Sequence, residues 1–414
     1  MKKADIGRLK YGIEGLNTFN STPEFGTTRV LFTDEEVAGR QFIKKIMSDN
    51  GLEITEDSIG NIFATLKGSD SSLPPVWTGS HIDTVLNAGM FDGMAGVVGG
   101  IEALRLIKES GIPHRRDISA VVYTSEEPTR FGLSCLGSRA LSGKLSLDDT
   151  KNLIDKDGKS LYEVLNSLGY DLSKFGDIPK KSGDVFAAVE LHIEQGPKLE
   201  QHGKKIGIVK TICAPTNYEV SVYGVQSHAG GTSMGDRHDA YCAACEIALT
   251  LEKLARKNTN SDYTTATVGR VNVIPNAMNV IPGQVDFTID IRDTDYQSKN
   301  ILFDTLAKSF ADIEQKRGVK IEYKKLNEDM PIKCDAAFTE IIEGYCKNNS
   351  VPYEYLISGA YHDSMMVGLF APVAMIFVPS KNGISHSPEE WTDFEDLATG
   401  VDLLAEALLE ISNK

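Results

Sequence analysis

The chain has 414 residues, 41% of them hydrophobic and 24% charged, with a formal net charge of −15. The composition is that of a folded protein too long for one ordinary core, which excludes a disordered or fibrous chain and predicts two domains. The acidic balance argues against nucleic acid or an anionic membrane as partner, although the local field of a metal site still attracts a small anion.

Helical periodicity opens the chain, in MKKADIGRLKYGIEGLNTF, with no apolar leader core. No later run approaches the ~20 apolar residues of a membrane span, so a soluble, cytoplasmic protein is expected. DEEVAGRQFIKKIMSDNGL then reads as an amphipathic helix closed by Asn50-Gly51. The short apolar runs NIFATLKG, PPVWTGSHI and ISAVVYTS read as strands, and AGVVGGIEALRLIKESG as a helix between them. This alternation predicts an α/β fold, a mixed or parallel sheet with helices on its faces, whose ligands bind beyond the carboxyl ends of the strands. The polar segment 150–185 reads as a surface excursion, after which FAAVELHIEQG resumes the strand pattern. From 213 the character changes. YEVSVYGV, TATVGRVNV, QVDFTIDIRD and VKIEYKKLN alternate as strands, and two helices lie among them, DRHDAYCAACEIALTLEKLARK and FDTLAKSFADIEQKRG. Such a set predicts an α+β insert of ferredoxin-like type. Helix and strand then alternate again, with GLFAPVAMIFVPS as a buried strand. The expected organisation is a catalytic domain of residues 1–212 and 331–414, interrupted by an insert of residues 213–330.

Six cysteines (Cys135, Cys213, Cys242, Cys245, Cys334 and Cys346) show no disulfide-framework spacing. Cys242 and Cys245 have metal or redox spacing, but no second such pair exists and their setting is helical, so they read as structural.

Residues suited to binding two metal ions fall in separate stretches, mostly at expected strand ends. His81-Ile-Asp83 places two side chains on one side of an extended segment, where Asp83 can hydrogen-bond the far ring nitrogen of His81. Asp92 lies in a glycine-flanked turn before a helix, where one carboxylate reaches two cations. Glu126-Glu127 are adjacent carboxylates, which repel unless cations hold them. Glu127 then serves as a ligand, and Glu126 takes a proton from water. With His192 and His386 the chain offers three imidazoles and the three carboxylates Asp92, Glu126 and Glu127, a set suited to a two-metal hydrolytic site acting on an amide-like bond. Imidazole and carboxylate admit zinc, manganese, cobalt or nickel.

At these residues the chain resembles the M20 metallopeptidase superfamily, and within it the ureido-hydrolysing branch. The likeness is carried by GSHIDTV, FDGMAGV, TSEEPTRFGLSCLGSRALSG, LHIEQGPKLE, SHAGGTSMGDRHDA, PNAMNVIPG, DIRD and GISHSPEEW. A histidine at His192, where peptidase members commonly carry an acidic ligand, favours that branch. The resemblance implies one metal on His81, Asp92 and His192, a second on Asp92, Glu127 and His386, and Glu126 as general base; Asp83 is expected among the catalytic residues. It implies Gln195 at the ureido group, His228 at the developing oxyanion, and Asn279 with Arg292 on the substrate carboxylate. It also implies a homodimer in which His228 and Asn279 come from the partner, and it leans to manganese. The run Glu127-Pro128-Thr129-Arg130-Phe131-Gly132 and the run Ala360-Tyr361-His362-Asp363-Ser364 resemble the ureidoglycolate-hydrolysing members, with the Tyr361 phenol suited to reading a substrate hydroxyl. PNAMNVIPG and SHAGG instead follow the pattern general to the branch, and Ser358-Gly359 precedes Ala360 as in the carbamoylases; Gly359, Ala360, Tyr361 and His362 are expected in the substrate shell. The expected substrate is thus a small ureido carboxylate, ureidoglycolate foremost, with N-carbamoyl amino acids or allantoate next and dipeptides or N-acyl amino acids after them.

Overall fold

The computed structural model describes residues 1–414. The chain forms two compact units, one made of Met1–Lys210, Lys333–Leu356 and His362–Lys414, the other of Thr211–Ile332 with Ile357–Tyr361. The short return 357–361 thus groups with the insert rather than with the C-terminal part to which the sequence reading gave it. There the carbonyl of Gly359 accepts from Arg292 Nη1 at 2.9 Å. A five-residue return is too short to carry a periodic signal of its own.

The first unit is built on a mixed sheet. Six of its strands lie in the order Glu53–Glu56, Ile62–Leu66, Ile118–Val122, Val76–Ser80, Ala187–Ile193 and Val373–Val378. The last four of these run parallel to one another, whereas Ile62–Leu66 pairs antiparallel with both Glu53–Glu56 and Ile118–Val122. All four parallel strands are buried along their whole length. Continuous rather than alternating apolar character is what a parallel strand covered on both faces requires. The helix Met94–Ser110 packs on this sheet and on the C-terminal helix Phe394–Ser412, burying Val97, Ile101, Leu104, Val401, Leu404 and Leu408. None of the helices is long and apolar enough to cross a membrane.

The segment 150–185 is more than a surface excursion. Ser160 and Glu163 form a capping box on the helix Leu161–Ser167, and Leu161, Leu165, Leu172 and Phe175 are buried. The helical spacing of Leu161, Val164 and Leu165 is diluted by charged and glycine-rich flanks, which hid it from a composition-based reading.

The second unit runs strand, helix, strand, strand, helix, strand: Ala214–Tyr223, Ala240–Arg256, Thr264–Ile274, Gln284–Asp293, Tyr296–Arg317 and Lys320–Glu328. The antiparallel order Lys320–Glu328, Ala214–Tyr223, Gln284–Asp293, Thr264–Ile274 is the ferredoxin-like arrangement expected. Strict alternation along QVDFTIDIRD buries Val285, Phe287, Ile289 and Ile291 with Ile247, Leu251, Leu302 and Leu306 of the helices. Both Cys242 and Cys245 lie in the helix Ala240–Arg256, unpaired and exposed.

Candidate metal centre

The carboxyl ends of the four parallel strands bring the expected ligands together. His81 follows Ser80 directly, His192 is the last but one residue of Ala187–Ile193, and Glu126-Glu127 and His386 sit in the loops after Val122 and Val378. Two triads result, His81 with Asp92 and His192, and Asp92 with Glu127 and His386. Within each, the ligand atoms lie within 4.8 Å of one another. Asp92 belongs to both.

Backbone carbonyls set the imidazoles. His81 Nδ1 donates to the carbonyl of Asp83 at 2.9 Å, and His192 Nδ1 to the carbonyl of Ile193 at 2.9 Å. A carbonyl only accepts, so each Nδ1 carries the proton and each Nε2 is left bare, the tautomer a metal ligand needs. His192 Nε2 lies 3.3 Å from one Asp92 oxygen and His386 Nε2 2.9 Å from the other. The second triad closes with His386 Nε2 at 3.4 Å from Glu127. Gly93, at φ 73, starts the helix beneath His81, and a Cβ there would stand 2.5 Å from the His81 ring. Only glycine leaves room for that imidazole.

The charges at this centre call for cations. Burial, then the Asp92 carboxylate, pushes Glu127 up to about 8. Glu126 is driven well above the carboxylate range by burial and by Glu127 beside it. Burial alone would raise Asp92, but the hydrogen bond from His386 and the charges of His192 and His81 outweigh it and hold Asp92 low. The hydrogen bond to Asp92 lifts His386 to about 9, so in the absence of a cation an imidazolium stands in for one. Bare imidazole nitrogens converging with crowded carboxylates fit divalent ions.

Asp83 has a different task from the one its spacing suggested. Its carboxylate stands 3.7 Å from His81 Nδ1, whose partner is instead the Asp83 carbonyl. Its oxygens accept the backbone N–H groups of Glu126 at 3.2 Å and Glu127 at 3.0 Å, so it shapes the loop that bears both glutamates. Glu126 also accepts from the Cys135 thiol at 3.6 Å. Gln195, at φ 53, spans both Asp92 oxygens with Nε2 at 3.1 Å. Arg130 reaches away from the glutamates, to Asp155 and to the carbonyls of Leu31 and Phe32.

Of the other expected site residues, His362 is buried with its ring 4.5 Å from that of His192 and forms a third potential ligand group with Glu190 and His192. Glu190 already accepts from Ser80 Oγ at 3.1 Å and from Ser364 Oγ at 2.6 Å, so this group backs the first triad instead of opening another site. In the second unit, His228 and Asn279 come together on an exposed ribbon in which Ser227–His228 pairs with Val280–Ile281. His228 Nδ1 accepts from the N–H groups of Gly230 and Gly231, both at 3.0 Å, leaving Nε2 as the donor. Arg292 forks onto the Asp290 carboxylate at 3.1 Å. The Tyr361 phenol donates to Asp329 at 2.7 Å, and the Ala360 carbonyl accepts from Ser358.

Three buried carboxylates beside the centre were given no role by the sequence reading: Glu190, Asp363 and Glu390. Glu190 and Glu390 lie inside the motifs LHIEQG-flanking FAAVE and GISHSPEE. An acidic residue within a buried strand was the available signal at Glu190.

The fold and this centre define a metallohydrolase of the M20 type. Residues 77–410 match the peptidase family M20/M25/M40, and the chain belongs to that family. It is 40% identical over 412 residues to a ureidoglycolate hydrolase of Oryza sativa subsp. japonica, an alignment covering 99% of this chain and 85% of the relative. An N-carbamoyl-L-amino-acid amidohydrolase of Pseudomonas sp. (strain NS671) is 34% identical over 407 residues, covering 97% of each chain. The crystal structure of AtUAH in complex with glyoxylate matches with a TM-score of 0.87 at 39% identity, over 99% of this chain and 98% of that one. The resemblance to the ureido-hydrolysing branch is thereby borne out.

Proposed function

We propose that the protein hydrolyses the carbamoyl C–N bond of a small ureido carboxylate, ureidoglycolate foremost. The reading is carried by two ligand triads that share Asp92, with the Glu126 carboxyl beside them. In this reading His81, Asp92 and His192 hold one divalent ion and Asp92, Glu127 and His386 the other, with manganese favoured. When bound, such a pair polarises the ureido carbonyl and makes water acidic enough to attack at neutral pH.

The residues around it then have separate tasks. Glu126 takes the proton of the attacking water and returns it to the departing ammonia, a task open to a carboxylate adjacent to the ligand Glu127. Gln195 orients the ureido group. His228, whose Nε2 is left as a donor by the Gly230 and Gly231 amides, steadies the oxyanion. Arg292 and Asn279 receive the substrate carboxylate. The exposure of His228 and Asn279 on one ribbon supports their serving the site of a partner subunit in a homodimer. The carbamate product loses carbon dioxide, and with ureidoglycolate the remaining aminol releases a second ammonia to leave glyoxylate. Six unpaired cysteines favour a reducing compartment, the cytoplasm.

Ammonia release from ureidoglycolate by the manganese-loaded protein, with allantoate and N-carbamoyl amino acids in parallel, tests the proposal. Turnover of ureidoglycolate above the others is expected. Ammonia from the others alone would move the substrate assignment to them, and none from any would remove the ureidohydrolase reading. Glu126→Gln is expected to lose at least ~10²-fold in kcat while keeping its metal content. Retained turnover would reject Glu126 as the base.

A further inference from the structure

Glu390 takes no part in the chemistry above, yet its carboxylate ties two distant parts of the centre together. The residue is 3% exposed. Oε1 accepts the backbone N–H groups of Phe91 at 2.9 Å and Asp92 at 3.0 Å. Oε2 accepts the hydroxyl of Ser385 at 2.7 Å and the backbone N–H of His386 at 3.3 Å. One oxygen therefore holds the turn bearing the carboxylate common to both triads, and the other holds the loop bearing the imidazole of the second.

Two further features fit this role. Gly89 lies against the glutamate so closely that a Cβ there would fall 2.3 Å from that of Glu390, which lets the NAGMFDG turn close onto the side chain. His386 has φ 54, a left-handed conformation that a histidine keeps only when its surroundings hold it. Its N–H bond to Glu390 is one such restraint. The imidazoles of the first triad need no such help, because the carbonyls of Asp83 and Ile193 orient them.

We propose that Glu390 is a positioning residue, which locks the Asp92 turn to the His386 loop and so sets the spacing of Asp92, Glu127 and His386 for the second cation. The proposal rests on the two-cation reading of the centre. It predicts an asymmetry: without the glutamate the second ion, which depends on both the Asp92 turn and the His386 loop, is weakened more than the first, which depends only on the former.

Glu390→Gln tests it, because the amide keeps the size of the side chain but turns an NH2 group toward one pair of donors, so only one loop can be held. Metal-stripped protein would be titrated with Mn2+, counting bound ions by equilibrium dialysis and following spin coupling between them by electron paramagnetic resonance. The wild type is expected to bind two coupled ions. The variant is expected to keep one ion at near wild-type affinity, to bind the second at least about tenfold more weakly, and to show an isolated-ion signal. Ser385→Ala, which removes a single donor, is expected to weaken the second ion alone and by less, and it decides the matter should Glu390→Gln not fold. Two ions bound normally by the variants, or both ions weakened equally, would overturn the role of Glu390. A wild type that never binds a coupled pair would instead overturn the two-cation reading itself.

Discussion

At Asp83 one buried carboxylate organises the loop that carries both glutamates. Burial, and after it the charge of Glu36, pushes this group up to about 7, while the amides of Glu126 and Glu127 pull the other way. Asp83→Asn replaces one of the two acceptors with a donor, so one of those amides faces an NH2 group. A fall in kcat of roughly 10–100-fold is expected, the usual cost of losing an outer partner of a metal site. Steady-state kinetics alongside metal analysis checks this, and turnover within twofold of wild type would rule out the positioning role. Asp83 also shows what a sequence can and cannot disclose about a site. Its membership of the site was legible in the HxD spacing, as was that of His81, Asp92, Glu127, His192 and His386, because residue types and strand-end placement mark candidate ligands and their neighbours. Its partners were not, since Glu127 lies 44 residues along the chain. Tyr361 repeats the lesson: the phenol suggested a reader of substrate hydroxyls, and the fold gives it Asp329 as a partner.

At the level of elements, the parallel strands were legible because each is a short, largely apolar run, wholly buried, with a polar residue of the site at or just beyond its end. The insert was legible for the opposite reason, since its strands alternate. Less visible were the helix Leu161–Ser167 and the return 357–361, in which charged flanks or mere shortness erase the period. The helix Met94–Ser110 links the fold most directly to the site. Its amino end carries no side-chain cap, and Gly93 there adopts a left-handed conformation under the His81 ring. Gly93→Ala meets both obstacles, a strained φ and a collision with the imidazole. We expect a loss of more than about 1 kcal/mol in stability for the backbone conformation alone. The displaced ring should also weaken metal binding at least about tenfold. Thermal unfolding of the stripped protein reads the first effect, and Mn2+ titration reads the second. Wild-type metal affinity in Gly93→Ala would mean that the ring does not depend on that gap.

Across the whole molecule, a net charge of −15 and a centre crowded with buried carboxylates make the same demand, that negative charge be compensated if the folded state is to persist. The demand is measurable in the metal-stripped protein. Glu127 and Asp83 keep their protons up to about 8 and 7 when folded, whereas the unfolded chain releases them near 4.5 and 3.8. The native state therefore binds more protons between those limits, and stability falls as pH rises through them. His386, lifted from 6.5 to about 9, contributes stability that is complete below 6.5 and is lost as pH climbs through 9. His81 acts oppositely, since burial depresses it from 6.5 to about 4, but its effect ends once pH exceeds 6.5. From pH 6.5 to about 8 the groups of the centre thus push in one direction, toward lower stability at higher pH. Bound divalent ions hold Glu127 and the ring nitrogen of His386 that faces Asp92 deprotonated throughout, which removes most of the slope and adds the free energy of binding to that of folding. Calorimetric unfolding across this interval should show Tm of the stripped protein falling with pH, Tm of the manganese-loaded protein nearly level, and the gap between them widening. A stripped protein whose stability stays flat or rises over that interval would mean that these carboxylates do not carry the buried charge that makes the centre a cation site.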